Sequence, residues 1–202
     1  MAVHFLLFDL GNVLIDWEPA KLYRKLIPDT EEREMFLRDI CNMAWHTNHD
    51  RGMSFADNAA ALIRQHPTYE NEILAWSQRW FDMFHGYVEG MPALIDRLQK
   101  KERPLYALSN VPEEVWPEML ERFTYLNRFE DIVVSGHEKC VKPDPKIYEI
   151  SLARMGHPAP ETVLFVDDRE SNTDAAAALG FEVHTFKTAQ RLETDLIDRN
   201  LL

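Results

Sequence analysis

The feature that most constrains the fold is a short apolar run close to the start of the chain. The run Val3–Phe8 is interrupted only by His4, ends at Asp9, and is followed by a Gly11-Asn12 turn signal. Apolar residues on both faces of a segment this short are typical of a strand buried inside a parallel sheet. The sequence therefore predicts a central strand that delivers Asp9 at its carboxyl end.

Four further apolar runs of similar length recur along the chain, with helical patterns between them. Strands that alternate with helices indicate βαβ units. The predicted fold class is α/β, with a Rossmann-like three-layer α/β/α core, a mainly parallel sheet and an inserted α-helical cap. The four runs are Leu105–Leu108, Ile132–Val134, Val163–Val166 and Val183–Phe186.

Two of the later helices have readable ends. Asp144 is a suitable N-cap for a helix with Pro145 in its first turn, and Gly156 stands where that helix should end. The alanine-rich segment from Asn172 to Gly180 predicts a second helix, packed closely on the sheet and closed by its glycine.

The segment from residue 18 to residue 84 has a different pattern. Its apolar residues fall at helical spacing, and breaks such as Pro28-Asp29 and His66-Pro67 divide it into about four helices. We predict a helical cap over residues 18–84, inserted into a core domain that comprises residues 1–17 and 85–202.

Composition narrows the classes of partner. The chain has 202 residues and a formal net charge of −12, which argues against a nucleic-acid-binding surface. No apolar stretch is long enough to span a membrane, and the N-terminus lacks a basic segment and a signal-cleavage pattern. Two cysteines without metal-like spacing indicate reduced thiols. The expectation is a cytoplasmic monomer or homodimer that binds a small molecule.

Polar residues follow several of the predicted strands. Ligands of open parallel sheets bind beyond the carboxyl ends of the strands, so these residues should meet at one edge. Three carboxylates, a lysine and a hydroxyl in one place indicate a site for Mg²⁺ and a phosphate group. The residues are Asp9, Ser109, Asn110, Lys142, Asp167 and Asp168.

The charges suggest a role for each group. A dianionic phosphoryl group repels an attacking carboxylate, and a bridging Mg²⁺ would overcome that repulsion. Ser109 and Asn110 can donate hydrogen bonds to phosphoryl oxygens, and Lys142 can neutralise the developing charge. A turn through Leu10, Gly11 and Asn12 would present backbone amides to the same oxygens.

Four motifs of this chain resemble those of the haloacid dehalogenase superfamily and follow one another in the same order. Most members of that superfamily are phosphatases. The resemblance covers nearly the whole chain, and the inserted helices match the position of that family's first cap type. The nearest branch resembles bacterial sugar-phosphate phosphatases and the N-terminal phosphatase domain of soluble epoxide hydrolases. The motifs are Phe8–Val13, Leu108–Asn110, Lys142-Pro143 with Ile147-Tyr148, and Phe165–Asp168.

The resemblance implies a mechanism and a metal site. Asp9 would form an aspartyl-phosphate intermediate that water hydrolyses. Mg²⁺ would be held by Asp9, the backbone carbonyl of Gly11 and Asp168, with Asp167 assisting nearby. The implied substrate is a small phosphorylated metabolite such as a sugar phosphate.

One position departs from the family pattern. Most phosphatases of this superfamily carry a second aspartate two residues after the nucleophile, as the general acid and base, whereas this chain has Gly11. General acid–base help is typically worth about 10² to 10⁴ in rate. The proton would then come from solvent or from a cap residue, and substrates with good leaving groups, such as anomeric sugar phosphates or acyl phosphates, would be favoured.

Two other functions stay open on the sequence alone. In a 2-haloacid dehalogenase the same aspartate displaces halide without a metal, although those relatives lack the Asp167-Asp168 pair. A phosphometabolite-binding protein with weak catalysis would be consistent with Gly11. His46, His49 and His85 are candidate proton donors, but a lone histidine is more often structural.

Overall fold

A computed structural model describes residues 2–202 and contains two sheets. The larger sheet has five parallel strands in the order β5-β4-β1-β6-β7. The smaller sheet pairs β2 with β3 in antiparallel orientation. The strands are β1 (Phe5–Phe8), β2 (Ile15–Trp17), β3 (Phe84–Tyr87), β4 (Leu105–Ser109), β5 (Asp131–Val134), β6 (Val163–Asp167) and β7 (Glu182–Thr185).

Eleven α-helices are present among residues 2–202, and the first five of them lie between β2 and β3. A π-helical turn over Phe36–Ile40 continues the second helix. The helices are α1 (Pro19–Leu26), α2 (Thr30–Met35), α3 (Met43–Asp50), α4 (Phe55–Ile63), α5 (Glu70–Gln78), α6 (Met91–Lys100), α7 (Trp116–Arg122), α8 (Ser135–Glu138), α9 (Pro145–Arg154), α10 (Glu170–Ala178) and α11 (Ala189–Asp198). Within residues 2–202, none is long and apolar enough to cross a membrane.

The core sheet is buried on both faces, as the apolar runs predict. Along β1, Leu6 and Phe8 join the hydrophobic cluster on one face, and Leu7 joins the cluster on the other. Because successive side chains of a strand point to opposite faces, a strand covered on both sides must be apolar throughout. The predicted α/β fold class is confirmed, and the five predicted core strands match β1, β4, β5, β6 and β7.

The predicted helix ends are close to the observed ones. Asp144 caps α9 by accepting a hydrogen bond from the Lys146 amide, and Gly156 adopts a φ of +84° just beyond the end of that helix. The helix predicted from Asn172 to Gly180 begins two residues earlier, at Glu170, and ends at Ala178.

The small sheet was absent from the sequence-based prediction. β2 follows the turn after Asp9, and Phe84, predicted as the last cap residue, begins β3 instead. These strands are three and four residues long and partly exposed, so they lack the uniform apolar signal of the core strands. The boundaries of the cap at residues 18 and 84 stay a prediction.

Candidate active site

The carboxylate of Asp9 lies buried at the carboxyl end of β1. Its backbone amide donates to the carbonyl of Val166 on the neighbouring strand at 2.8 Å, which fixes the end of β1 against β6. Its Oδ1 accepts a hydrogen bond from the Leu10 amide at 2.7 Å. The Nζ atom of Lys142 lies 2.8 Å from the same oxygen. Asp9 is therefore held by the backbone and by one buried cation.

Lys142 is the centre of the arrangement. Its Nζ also contacts Oδ2 of Asp167 at 2.7 Å and donates to the carbonyl of Leu108 at 3.0 Å. Burial acts against the charged form of this lysine, but Asp167 and Asp9 outweigh it and raise its pKa. Lys142 is therefore a permanently charged link between the two aspartates.

Asn110 holds the loop that carries Lys142. Its Nδ2 donates to the Lys142 carbonyl at 3.1 Å, and its Oδ1 accepts from the Lys142 amide at 2.8 Å. The sequence assigned Asn110 to phosphate binding, and the structure adds this second role. Ser109, at the end of β4, is buried and lines the same cavity as Asp9.

The two adjacent carboxylates after β6 differ in their surroundings. Asp167 is fully buried, and its oxygens accept from the Arg169 amide, from Asn172 Nδ2 and from Lys142. Asp168 is half-buried and lines the cavity. Asp168 is thus the more available of the two to a ligand.

Three carboxylates meet closely enough to share one cation. One oxygen each from Asp9, Asp167 and Asp168 lies within 4.8 Å of the others. Burial raises the pKa of Asp9 to about 7, Lys142 acts against that shift, and Asp167 adds to it. The pKa of Asp168 is also raised, by burial and then by Asp167. Hard oxygen donors with uncompensated negative charge are what Mg²⁺ requires, so the residues fit this ion.

The turn after Asp9 is tight. The Asn12 amide donates to the Ile15 carbonyl at 2.7 Å, and the Leu10 amide is used by Asp9 itself. These two predicted phosphate-binding amides could therefore contact a ligand only by exchanging those bonds. A Cβ added at Gly11 would meet no atom within 4 Å beyond its chain neighbours, in the part of the chain that the structure describes.

Residues of helix α3 close the site. A cavity of about 70 Å³ is bounded by the predicted residues and also by His46, Asp50 and Arg169. An adjoining cavity of about 60 Å³ shares Gly11, Ser109 and His46 but is mostly apolar, with Trp80 and Met119 in its wall. All of the predicted site residues except Leu10 and Asp167 line the first cavity.

The three candidate histidines lie in different surroundings, and only one of them lines the site. His46 lines both cavities, whereas His49 is buried between Phe55 and Asn58. His85 is exposed on β3 and pairs with Glu18, so it lies outside the site.

Sequence reasoning missed Asp50, which is buried and lines the same cavity as Asp9. The only sequence signal for it was its position four residues after His46, on the same face of a helix.

Comparison with known proteins places this architecture in context. Residues 4–180 match the family of haloacid dehalogenase-like hydrolases. The sesquiterpene phosphatase astK of Aspergillus oryzae is 29% identical over 86% of this chain and 85% of its own length. A phosphorylated carbohydrates phosphatase of Thermotoga maritima is 24% identical over 87% of this chain and 81% of its own.

Solved structures share the fold. A HAD family enzyme of Bacteroides thetaiotaomicron, crystallised with magnesium and inorganic phosphate, is 23% identical, with a TM-score of 0.69 over 93% of this chain and 96% of its own. The L-2-haloacid dehalogenase RSc1362 is 18% identical, with a TM-score of 0.66 over 91% of this chain and 86% of its own.

Proposed function

This chain belongs to the haloacid dehalogenase-like hydrolase family, and on that premise we propose that it is a Mg²⁺-dependent phosphatase that uses Asp9 as its nucleophile. The observation that carries the proposal is the cluster of Asp9, Asp167 and Asp168 around the buried Lys142. Two buried carboxylates, a half-buried one and one lysine leave negative charge that a divalent cation would compensate. Two relatives named as phosphatases support the same activity.

The metal ligands in this proposal are Asp9, the carbonyl of Gly11 and Asp168. Asp167 assists through Lys142 and Asn172, because its oxygens are already engaged by them. A bound Mg²⁺ would supply the positive charge that keeps Asp9 ionised beside an anionic substrate. The magnesium in the Bacteroides structure is consistent with this ligand type but belongs to that protein.

The reaction proceeds in two steps on Asp9. Its carboxylate oxygen attacks phosphorus, the bond to the leaving oxygen breaks, and an aspartyl-phosphate forms. Water then attacks the same phosphorus, and the bond to Asp9 breaks to release phosphate. Lys142 stays within hydrogen-bonding distance of Asp9 and stabilises the charge that develops, while Ser109 and Asn110 bind phosphoryl oxygens.

The substrate in this proposal is a small phosphorylated metabolite, such as a sugar phosphate. The polar cavity of about 70 Å³ has room for a phosphoryl group and little more. The apolar cavity beside it, about 60 Å³, would receive the nearest part of the leaving group. We assign residues 18–84 to the cap that selects this group, because His46 and Trp80 line the apolar cavity.

A panel of phosphorylated metabolites assayed for phosphate release with Mg²⁺ tests the function. We expect hydrolysis by the wild type, loss of activity with EDTA, and loss of activity in Asp9→Asn, which has the same shape but a poor nucleophile. Asp39→Asn, an exposed cap aspartate, is the matched control. Persisting activity in Asp9→Asn would contradict the mechanism. Metal-independent halide release from 2-haloacids would instead favour the dehalogenase alternative.

A further inference from the structure

The catalytic site has no acidic side chain at Gly11, where most relatives carry their proton donor. The helix α3 brings another carboxyl group to the same cavity. Asp50 is 4% exposed and lines the cavity together with Asp9, Ser109 and Lys142. A buried carboxyl group is costly unless it is neutralised or paired, so one that lines a catalytic cavity points to a function.

We propose that the Asp50 side chain is the general acid and base of this enzyme, delivered from the inserted helices in place of a residue at Gly11. The proposal rests on the proposed phosphatase function and adds a catalytic residue to it. In the first step the leaving oxygen takes the proton of Asp50 as its bond to phosphorus breaks. In the second step the Asp50 carboxylate takes a proton from the attacking water. Asp50 is then protonated again, and Asp9 is again a free carboxylate.

The surroundings of Asp50 leave its carboxyl group available. Its Oδ1 is buried and, within residues 2–202, accepts no hydrogen bond. Nε2 of His46, one helical turn earlier, lies 3.4 Å from this oxygen. A buried polar atom that the protein leaves unpaired calls for an explanation, and the cavity lined by Asp50 is where a ligand could reach its carboxyl group.

His46 is a positioning residue for this carboxyl group. Its ring packs against Trp17, Trp76 and Trp80, with centroid separations of 5.3, 5.4 and 5.4 Å. Three indole rings fix the imidazole, which in turn limits where the side chain of Asp50 can lie. Trp17 comes from β2, so this packing also ties α3 to the turn that follows Asp9.

Burial favours the neutral, protonated form of Asp50 and the neutral form of His46. Burial raises the pKa of Asp50 to about 7, and Asp9 contributes, although Arg169, Lys142 and Arg51 act in the opposite direction. Burial lowers the pKa of His46 to about 3, with His49 and Arg169 adding to that effect. A carboxylic acid that titrates near neutral pH can both donate and accept a proton during turnover.

The test compares substrates of graded leaving-group acidity in wild type and Asp50→Asn. An alkyl phosphate needs a proton on its leaving oxygen, whereas p-nitrophenyl phosphate does not. We expect the rate of the first step, measured as leaving-group release in a single turnover with enzyme in excess, to fall by about 10² to 10⁴ for alkyl phosphates. For p-nitrophenyl phosphate we expect the same first-step rate to fall by less than about tenfold, whereas the second step should slow equally for both substrates. The matched control Asp39→Asn should not change either rate, because this exposed carboxylate pairs with Arg38.

A second variant separates proton transfer from a structural role. The free space at Gly11 admits a side chain, and its backbone is not in the left-handed region. The double variant, Asp50→Asn with Gly11→Asp, should therefore be at least tenfold more active on alkyl phosphates than Asp50→Asn alone. A merely structural defect at Asp50 would not be rescued from Gly11.

Three outcomes would overturn the proposal. They are an equal loss of the first-step rate on both substrate types, an unchanged first-step rate on alkyl phosphates, and a failure of Gly11→Asp to rescue. The phosphatase function itself is judged separately, by Asp9→Asn. If Asp9→Asn abolishes hydrolysis of both substrate types but Asp50→Asn slows the first step equally for both, the function stands and the role of Asp50 fails.

Discussion

Among the single residues of the site, Lys142 is the one that balances the negative charge of the aspartates. It is the buried cation that contacts both Asp9 and Asp167, and its loop is held by the side chain of Asn110. Removing one partner from a buried ion pair leaves an uncompensated charge, which is far costlier than the net value of the pair.

Lys142→Met should therefore lower the free energy of unfolding by about 3 to 5 kcal/mol at neutral pH. The loss should shrink at mildly acidic pH, because protonation of Asp9, whose pKa is raised to about 7, removes one of the repelling charges. Urea unfolding at pH 7.5 and pH 5.5 measures both effects. Lys146→Met, at an exposed lysine of α9, is the control. An equal loss at the two pH values would contradict the argument.

The neighbours Asp167 and Asp168 should differ in what they do for the metal. The oxygens of Asp167 are engaged by Lys142, Asn172 and the Arg169 amide, whereas Asp168 lines the open cavity. We therefore expect Asp168→Asn to raise the Mg²⁺ concentration for half-maximal activity by more than about 100-fold. Asp167→Asn removes a residue that supports the metal ligands without binding the ion, and it should raise the same Mg²⁺ concentration by about 10- to 100-fold.

Metal titrations of activity, with thermal unfolding of the metal-free proteins, distinguish these two aspartates. Asp167→Asn should lower the unfolding midpoint more than Asp168→Asn, because it weakens a buried network. The reverse order in both measurements would make Asp167 the direct ligand.

The element that most changes the sequence-based interpretation is α3. It begins at Met43, capped by Asn42, whose Oδ1 accepts from the Trp45 amide at 2.8 Å. Its fully buried residues are the polar ones, His46, His49 and Asp50. A pattern method based on apolar spacing places such residues on the solvent side of a helix.

His49 makes this buried polar face sensitive to acid. Burial lowers its pKa from 6.5 to about 4, and its Nε2 lies 3.0 Å from Nδ2 of Asn58. Below pH 6.5 the unfolded chain binds a proton at this position that the folded chain does not bind. The stability contributed by neutral His49 is therefore present above pH 6.5 and lost as the pH falls towards 4.

The free energy of unfolding of the wild type should fall relative to His49→Gln by up to about 1.4 kcal/mol per pH unit in that window. Glutamine does not titrate, so the difference between the two proteins isolates this histidine from Asp50, which has the opposite dependence. Denaturant unfolding at pH 8, 7, 6 and 5 measures the effect. Between pH 8 and pH 7 the difference should be constant, and a constant difference down to pH 5 would contradict the prediction.

The core strands could be predicted because burial on both faces forces an apolar run, as in β1 and β6. The site residues at the ends of those strands followed from topology alone, since parallel strands bring Asp9, Ser109 and Asp167 to one edge. β2 and β3 could not be predicted, because short partly exposed strands have no distinctive period. Asp50 was missed because its position depends on how α3 packs over the sheet edge, which no local pattern encodes.

On the scale of the whole molecule, the inserted helices and the sheet share one core. A single hydrophobic cluster contains Leu6 and Phe8 of β1 as well as Leu22, Phe36 and Trp76 of the inserted helices. The cavity lined by Asp9, Asp168 and residues of α3 lies beside this cluster, at the acidic edge of the sheet. Binding of a ligand in this cavity should therefore change the free energy of unfolding of the entire chain.

Mg²⁺ binding should accordingly stabilise the protein against global unfolding. The uncompensated carboxylates destabilise the metal-free state, and a ligand at 100 times its Kd adds about 2.7 kcal/mol. For a chain of this length, that corresponds to a rise of roughly 5 to 10 °C in the thermal unfolding midpoint. Scanning calorimetry with EDTA and with excess Mg²⁺ measures the shift.

Asp9→Asn should weaken the dependence of the thermal unfolding midpoint on Mg²⁺. The variant removes one of three repelling carboxylates, so its metal-free midpoint should lie above that of the wild type while its shift with Mg²⁺ becomes smaller. Asp39→Asn, at an exposed position, should reproduce the wild-type shift. A full Mg²⁺ shift retained in Asp9→Asn would mean that the ion binds elsewhere. In that case the contribution of Asp9 and Asp167 to stability would come from their contacts with Lys142 rather than from a shared metal ion.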